Sequence, residues 1–317
     1  MMPRNDIFDS TTRPGKSLLY SRNDPVDRKM GEFVGTDTKD YDSSDIVIAG
    51  SPHDFGVRRN QGRAGARKAP EEIRRALYKF PVPPGATERK IFDLGDIKVQ
   101  RTLEDTHELH YAVVKRVLDD GKKIVMLGGG NDISYPDCRA LAEDSDNLAV
   151  FNIDSHYDVR ESDTPHSGTP YRQLLDEKII RPDNFYELAG KRIANSPAYH
   201  EFLEKLGVNI FSLQEMRREG SGALVRSILN GSSSDAIFWG YDIDAVRSTD
   251  APGVSAPYPE GLSAEEINEI ARISGADDRT RMIEITEVNP EYDIDGRTSK
   301  LAAMIIMNYL WEVFDEN

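Results

Sequence analysis

The sequence predicts an α/β fold of three layers (α/β/α), in which a parallel sheet of about eight strands is covered by helices on both faces. Three observations carry that prediction. Short apolar runs recur along the chain, as at 45–50 and 123–127, and they lack the polar alternation of a half-exposed strand, as strands buried on both faces do. Segments with helical spacing and capping residues separate the runs. The two kinds of segment alternate about eight times with no change of composition in mid-chain, which favours one sheet and one domain. Residues 44–317 are taken as that domain. Residues 1–43 are rich in Asp, Arg, Lys and Ser with little periodicity, and are read as an extension that wraps the surface or is partly mobile.

The first run, 45–50, feeds a loop carrying His53, Asp54, Gly56, Gly62, Gly65 and Arg67, and Pro70 then opens a helix in its first turn. The glycines match neither a Walker loop nor a dinucleotide fingerprint, so a substrate-side loop is expected. His53 is expected to make a local hydrogen bond. A second strand, 90–96, precedes a helix capped by Thr102, with Leu109, Val113 and Val117 at helical spacing. His107 and His110 stand three apart on it with no evident carboxylate partner, and are read as part of its solvated face. The third run ends in Gly128-Gly129-Gly130-Asn131-Asp132, where glycine lets backbone approach a site closely. A helix is expected over 133–143, with Cys138 buried on it.

The fourth run, 148–151, drives into Asn152-Ile153-Asp154-Ser155-His156-Tyr157-Asp158, and 151–158 is read as the fourth strand. A loop at 165–170 and a helix from 171 follow, then strands at 185–190 and 208–213 around a helix at 198–206. The run at 235–244 ends in Asp242-Ile243-Asp244. Ser263 caps a helix over 264–274, the last strand ends in Glu287-Val288-Asn289-Pro290, and an apolar helix over 301–313 closes the chain.

The net charge of −15 and pI of about 4.9 argue against a nucleic-acid partner, because phosphate backbones attract basic surfaces. A single cysteine excludes an intrachain disulfide and suits a reducing compartment. No apolar segment resembles a secretory leader or approaches the roughly 20 residues of a membrane span. A soluble cytoplasmic protein with a small-molecule substrate is expected.

In such sheets ligands meet the carboxyl ends of the strands. The polar clusters fall there: Asn131 and Asp132, Asp154 to Asp158, Asp242 and Asp244, and Glu287. A regular strand would set Asp154, His156 and Asp158 on one face. Two carboxylates and an imidazole suit a divalent first-row metal such as manganese. With Asp242 and Asp244 the set holds four carboxylates and one imidazole, which unpaired would repel one another. Two dications would balance them, bridged about 3.5–4 Å apart and sharing a hydroxide that is nucleophilic at neutral pH. The reaction class so implied is metal-assisted hydrolysis.

Gly128-Gly129-Gly130, Asp154-Ser155-His156-Tyr157-Asp158, Asp242-Ile243-Asp244 and Glu287-Val288-Asn289-Pro290 resemble, in order and spacing, the signature blocks of the ureohydrolase family of arginases, agmatinases and formimidoylglutamases. Ser51-Pro52-His53-Asp54-Phe55-Gly56, Gly65-Ala66-Arg67 and Asp93-Leu94-Gly95-Asp96 resemble its N-terminal blocks. The likeness runs from about residue 45 to the C-terminus. The triple glycine, Ser167-Gly168-Thr169-Pro170-Tyr171, the loop 251–257 and Arg22-Asn23-Asp24 are most similar to the formimidoylglutamase branch.

The resemblance implies an arginase-like fold and two Mn2+ per subunit. Asp154 and Asp242 would bridge the ions. Asn131 and Asp158 would complete the first site, with Asp158 orienting the hydroxide, and His156 and Asp244 the second. Glu287 would meet the cationic amidine, with Ser167, Gly168 and Arg160 beside the substrate. It implies hydrolysis of formimidoylglutamate to glutamate and formamide, with Arg58, Arg59, Arg63, Arg160 and Arg172 as candidates for the two substrate carboxylates. It also implies a homo-oligomer, trimer or hexamer. Two positions depart from the family pattern: Asn131 replaces a histidine ligand, and Ser167 precedes Gly168 where arginases place histidine. That leaves His166, one residue earlier, as a candidate proton carrier. Two alternatives follow: a guanidine hydrolase of the agmatinase, guanidinobutyrase or arginase type that releases urea, or a metal-depleted, non-catalytic relative.

Overall fold

The computed structural model describes residues 2, 4–86 and 90–315; residues 1, 3, 87–89, 316 and 317 lie outside it. Among the described residues nine strands form one sheet: β1 (Thr11–Thr12), β2 (Ile46–Gly50), β3 (Ile91–Ile97), β4 (Lys123–Leu127), β5 (Leu148–Ile153), β6 (Phe185–Gly190), β7 (Asn209–Ser212), β8 (Ala236–Asp242) and β9 (Thr280–Thr286). Their order is β1-β3-β2-β4-β9-β8-β5-β6-β7. Eight are parallel, as expected, and β1 adds an antiparallel ninth at the edge.

Side-chain alternation builds the three layers. Ile46, Ile48, Val125, Leu127, Ala149, Phe151 and Ile153 face one apolar core, with the helices Ala69–Leu77, Ala264–Ala276 and Arg297–Phe314. Val47, Ala49, Ile124, Met126, Leu148 and Val150 face the other, with the helices Leu103–Asp119, Ser134–Ala142 and Pro170–Asp176. The expected caps are in place. Thr102 accepts from Asp105 N, and Ser263 forms a reciprocal capping box with Glu266. Cys138 is buried on its helix. Among the described residues no helix is long and apolar enough to cross a membrane.

The segment before residue 44 is woven into this frame. Ile7 and Met30 are fully buried. Thr11 and Thr12 pair with Ile97 and Asp96 of β3, while Gly35 N donates to Ile91 O and Asp93 N donates to Gly35 O. The edge of β3 is thus occupied at both ends by the chain's own N-terminal residues.

A buried ion cluster ties the helix Ala69–Leu77 to β3. Arg74 grips Asp93 through Nε (2.7 Å) and Nη2 (2.9 Å), and reaches Asp96 at 2.5 Å. Tyr78 donates its hydroxyl to Asp93 as well. Arg74→Met would leave Asp93 buried without its cation, a loss of about 3–5 kcal/mol. Urea unfolding is expected to show it; a loss below about 1 kcal/mol, as for an exposed pair, would count against a structural role.

Candidate metal centre

β5 stops at Ile153, so 154–158 is a turn rather than a strand. Asp158 takes φ 46°, a left-handed conformation unfavourable for a side-chain-bearing residue and kept where surroundings enforce it. This corrects the expectation that strand alternation brings Asp154, His156 and Asp158 together: the turn does. Asp154 Oδ1 accepts from His156 N at 2.7 Å, and Asp242 Oδ1 accepts from Asp244 N at 2.8 Å. Both D-x-H and D-x-D ends therefore use their first carboxylate to bend the chain two residues on.

The ligating atoms form two overlapping groups, Asp154 with His156 and Asp244, and Asp154 with Asp158 and Asp242, each with its atoms within 4.8 Å of one another. Asp154 belongs to both. Oxygen donors with one imidazole suit Mn2+, and overlapping carboxylates could hold two dications. Asp244 Oδ1, buried without a hydrogen-bond partner, fits such a use.

Burial, then repulsion from Asp244 and Asp158, raises the Asp154 pKa well above the carboxylate range, and burial, Asp244 and Asp154 do the same to Asp242. Burial lifts Asp158 to about 6. Burial works against a charged His156, but Asp244 at 3.2 Å and Asp154 at 3.4 Å outweigh it and raise the imidazole pKa. Burial would likewise raise Asp244, yet His156 holds it low.

The raised carboxylates bind more protons folded than unfolded, so their stabilising contribution is complete below the unfolded value near 4 and is lost as pH rises through their folded values. Protein stripped of divalent ions is expected to lose thermal stability between about pH 4 and pH 7, the window that Asp158 at about 6 marks, and added Mn2+ to flatten that slope. Melting curves that do not change across this range would count against the crowded-carboxylate picture.

Glu287 is a second site residue in left-handed conformation, with φ 60°. Its N donates to Gly129 O at 2.9 Å and its Oε1 accepts from Asn131 N at 3.0 Å. A Cβ on Gly129 would stand 1.8 Å from His53 O, so only glycine lets the three loops meet here. A ligand role for Asn131 calls for its amide oxygen to face the acidic floor. Instead Nδ2 points to Asp158 Oδ2 (2.7 Å) and Asp154 Oδ2 (3.4 Å), while Oδ1 accepts from Ser134 and Thr286 hydroxyls, each at 3.0 Å. Hydroxyls accept as readily as they donate, so a reversed amide keeps both of those bonds and presents oxygen.

A cleft of about 260 Å³ opens on this floor, lined by His156, Asp158, Asp242, Asp244 and Glu287 below, and by Asn60, Arg160, Ser167 and Ser255 on the walls. Arg160 Nη1 donates to Asn60 Oδ1 at 2.6 Å, and Asn60 Nδ2 donates to Ser167 Oγ at 3.0 Å. Gly168 packs against the Arg160 side chain. His166 is not among the lining residues; its Nδ1 accepts from Gly168 N at 3.0 Å. Of the five candidate arginines only Arg160 lines the cleft. Arg58 pairs with Asp54, Arg59 with Glu104 and Arg172 with Asp176, and Arg63 lies over the Tyr292 ring.

Sequence reasoning missed Asn60 and Lys191. Asn60 sits in a loop read only for its glycines and arginines. Lys191, which donates to Ser155 Oγ at 2.6 Å and stands over the Tyr258 ring, directly follows β6, at the strand end where functional groups gather. His107 and His110 are a correction: both are buried, 2.9 Å from Asp132 and 2.6 Å from Asp137, because carboxylates distant in sequence fold onto that face. His53 is another, since neither ring nitrogen has a hydrogen-bond partner.

A sequence model of the arginase family matches residues 44–311. The chain belongs to the arginase family. It is similar to the formimidoylglutamase of Bacillus subtilis, 32% identical over 297 residues that cover 89% of this chain and 91% of that protein. Among solved structures, Trypanosoma cruzi formiminoglutamase with Mn2+ matches with a TM-score of 0.86 at 31% identity, over 92% of this chain and 100% of that one. Proclavaminate amidino hydrolase from Streptomyces clavuligerus matches with a TM-score of 0.79 at 26% identity, over 89% and 95%. The arginase-family fold explains why the acidic turns share one end of the sheet: β5, β8 and β9 are parallel neighbours, so Asp154, Asp242 and Glu287 follow adjacent carboxyl ends.

Proposed function

We propose that this arginase-family protein hydrolyses formimidoylglutamate to glutamate and formamide with the help of two Mn2+ ions. The observation that carries the reading is the cleft itself, in which one arginine, Arg160, faces a floor of metal-type ligands and Glu287. Formimidoylglutamase relatives of nearly full length support it. In this reading Asp154, shared by both ligand groups, Asp158, Asp242 and a reversed Asn131 amide, with His156 and Asp244, would hold the two ions. Bound there, two dications supply a water-derived nucleophile at neutral pH and offset the carboxylates' repulsion.

The chain's residues do the rest. Glu287 accepts charge-assisted hydrogen bonds from the amidinium N–H groups and sets the formimidoyl carbon over the floor. Arg160, oriented by Asn60, pairs with a substrate carboxylate, and Ser167 borders the same wall. Asp158, on the cleft floor beside Asn131 Nδ2, is placed to take the proton from water. The bond to the glutamate nitrogen breaks, that nitrogen leaves protonated, and water's oxygen stays on the one-carbon fragment as formamide. A cationic guanidine without carboxylates would meet Arg160 unfavourably.

The test is formamide and glutamate release from formimidoylglutamate by the Mn2+-loaded protein, with agmatine, guanidinobutyrate and arginine as controls. Stoichiometric formamide with no urea from the controls is the expected result. Urea release, or no turnover with two ions bound, would overturn the reading.

A further inference from the structure

We propose a third metal site, outside the acidic floor, built by His53, His107 and Asp132 and taking a borderline divalent cation, Zn2+ by preference. It shares no residue with the two groups around Asp154. Its ligands come from three elements: the loop after β2, the helix Leu103–Asp119, and the 3-10 turn Asn131–Ile133 after β4. Their ligating atoms lie within 4.8 Å of one another, and all three residues are buried.

Two observations point to a missing ligand. His53 is 2% exposed, yet neither Nδ1 nor Nε2 has a hydrogen-bond partner, and Asp132 Oδ1 also lacks one. A buried imidazole with both nitrogens idle is unfavourable by a wide margin, and native proteins seldom leave such groups unused. The spacing also suits a cation. His107 Nε2 stands 2.9 Å and His53 Nδ1 3.9 Å from Asp132 Oδ2. Ligands about 2.0–2.2 Å from a tetrahedral zinc are roughly 3.3 Å apart, between those two values. Two imidazoles and one carboxylate form a common zinc set with a fourth position left for water.

The backbone is shaped to admit the carboxylate. A Cβ on Gly56 would lie 2.0 Å from Asp132 Oδ1, so glycine at 56 is what lets Asp132 lean toward His53. A cation here would anchor the turn that carries Asn131 from its far side. Metal content reads the site without any assay of turnover.

The full chain is saturated with Zn2+, desalted, and its zinc counted per chain by mass spectrometry. Wild type is expected to hold one equivalent more than His53→Gln and one more than His107→Gln. Equal counts in folded wild type and variants overturn the proposal. Should either variant fail to fold, wild-type crystals grown with Zn2+ decide it by diffraction above and below the zinc edge. An anomalous peak among His53, His107 and Asp132 supports the site, and a water or no density there overturns it.

Discussion

Asp154→Asn is expected to lower kcat/KM on formimidoylglutamate by on the order of 10³-fold while making the metal-stripped protein more stable. Asp154 is the one carboxylate common to both ligand groups, so neutralising it weakens both ions at once, and several kcal/mol of transition-state stabilisation go with them. The backbone bend survives, because asparagine's Oδ1 still accepts from His156 N. Stability moves the other way. Burial, Asp244 and Asp158 hold the Asp154 pKa high, so an ionised Asp154 is a strained ground state that the amide relieves. Parallel kinetics and melting curves with and without Mn2+ check both halves. An active variant, or one that unfolds earlier without metal, would contradict the shared-ligand role.

Glu287→Gln is expected to reduce kcat/KM roughly 10- to 150-fold with metal content unchanged. Hydrogen bonds to a charged partner contribute about 1.5–3 kcal/mol, and each 1.36 kcal/mol is tenfold in rate. Glutamine keeps the shape and can still accept from Asn131 N, as Glu287 Oε1 does, but it lacks the negative charge that an amidinium needs. The separation from Asp154→Asn is the informative part: one variant loses ions, the other loses only substrate orientation. Lost Mn2+ in Glu287→Gln would place this carboxylate among the ligands instead.

Much of this was legible in the sequence because it is local. Apolar runs of five to seven residues, the helix caps Thr102 and Ser263, and paired acids at the ends of β5 and β8 are all readable without a partner in view. What escaped depends on distant contacts. The solvated face assigned to His107 and His110 failed because Asp132 and Asp137, 25 and 27 residues away, supply their partners. The strand assigned to Asp154–Asp158 failed because a positive φ at Asp158 is imposed by surroundings, and aspartate signals it only weakly. Asn60 was invisible for a similar reason, since its value lies in reaching Arg160 and Ser167 across 100 and 107 residues.

The two margins of the sheet are not alike. On one side the N-terminal residues sit on β3, through Thr11, Thr12 and Gly35, while β7 ends the other. Growth by strand addition needs a free edge on each side of every copy, donor on one and acceptor on the other. A sheet stoppered on one side can join a single neighbour, edge to edge, and there the chain of additions ends. Thr11 and Thr12, only two residues long, therefore leave β3 no long exposed edge on which another chain could pair.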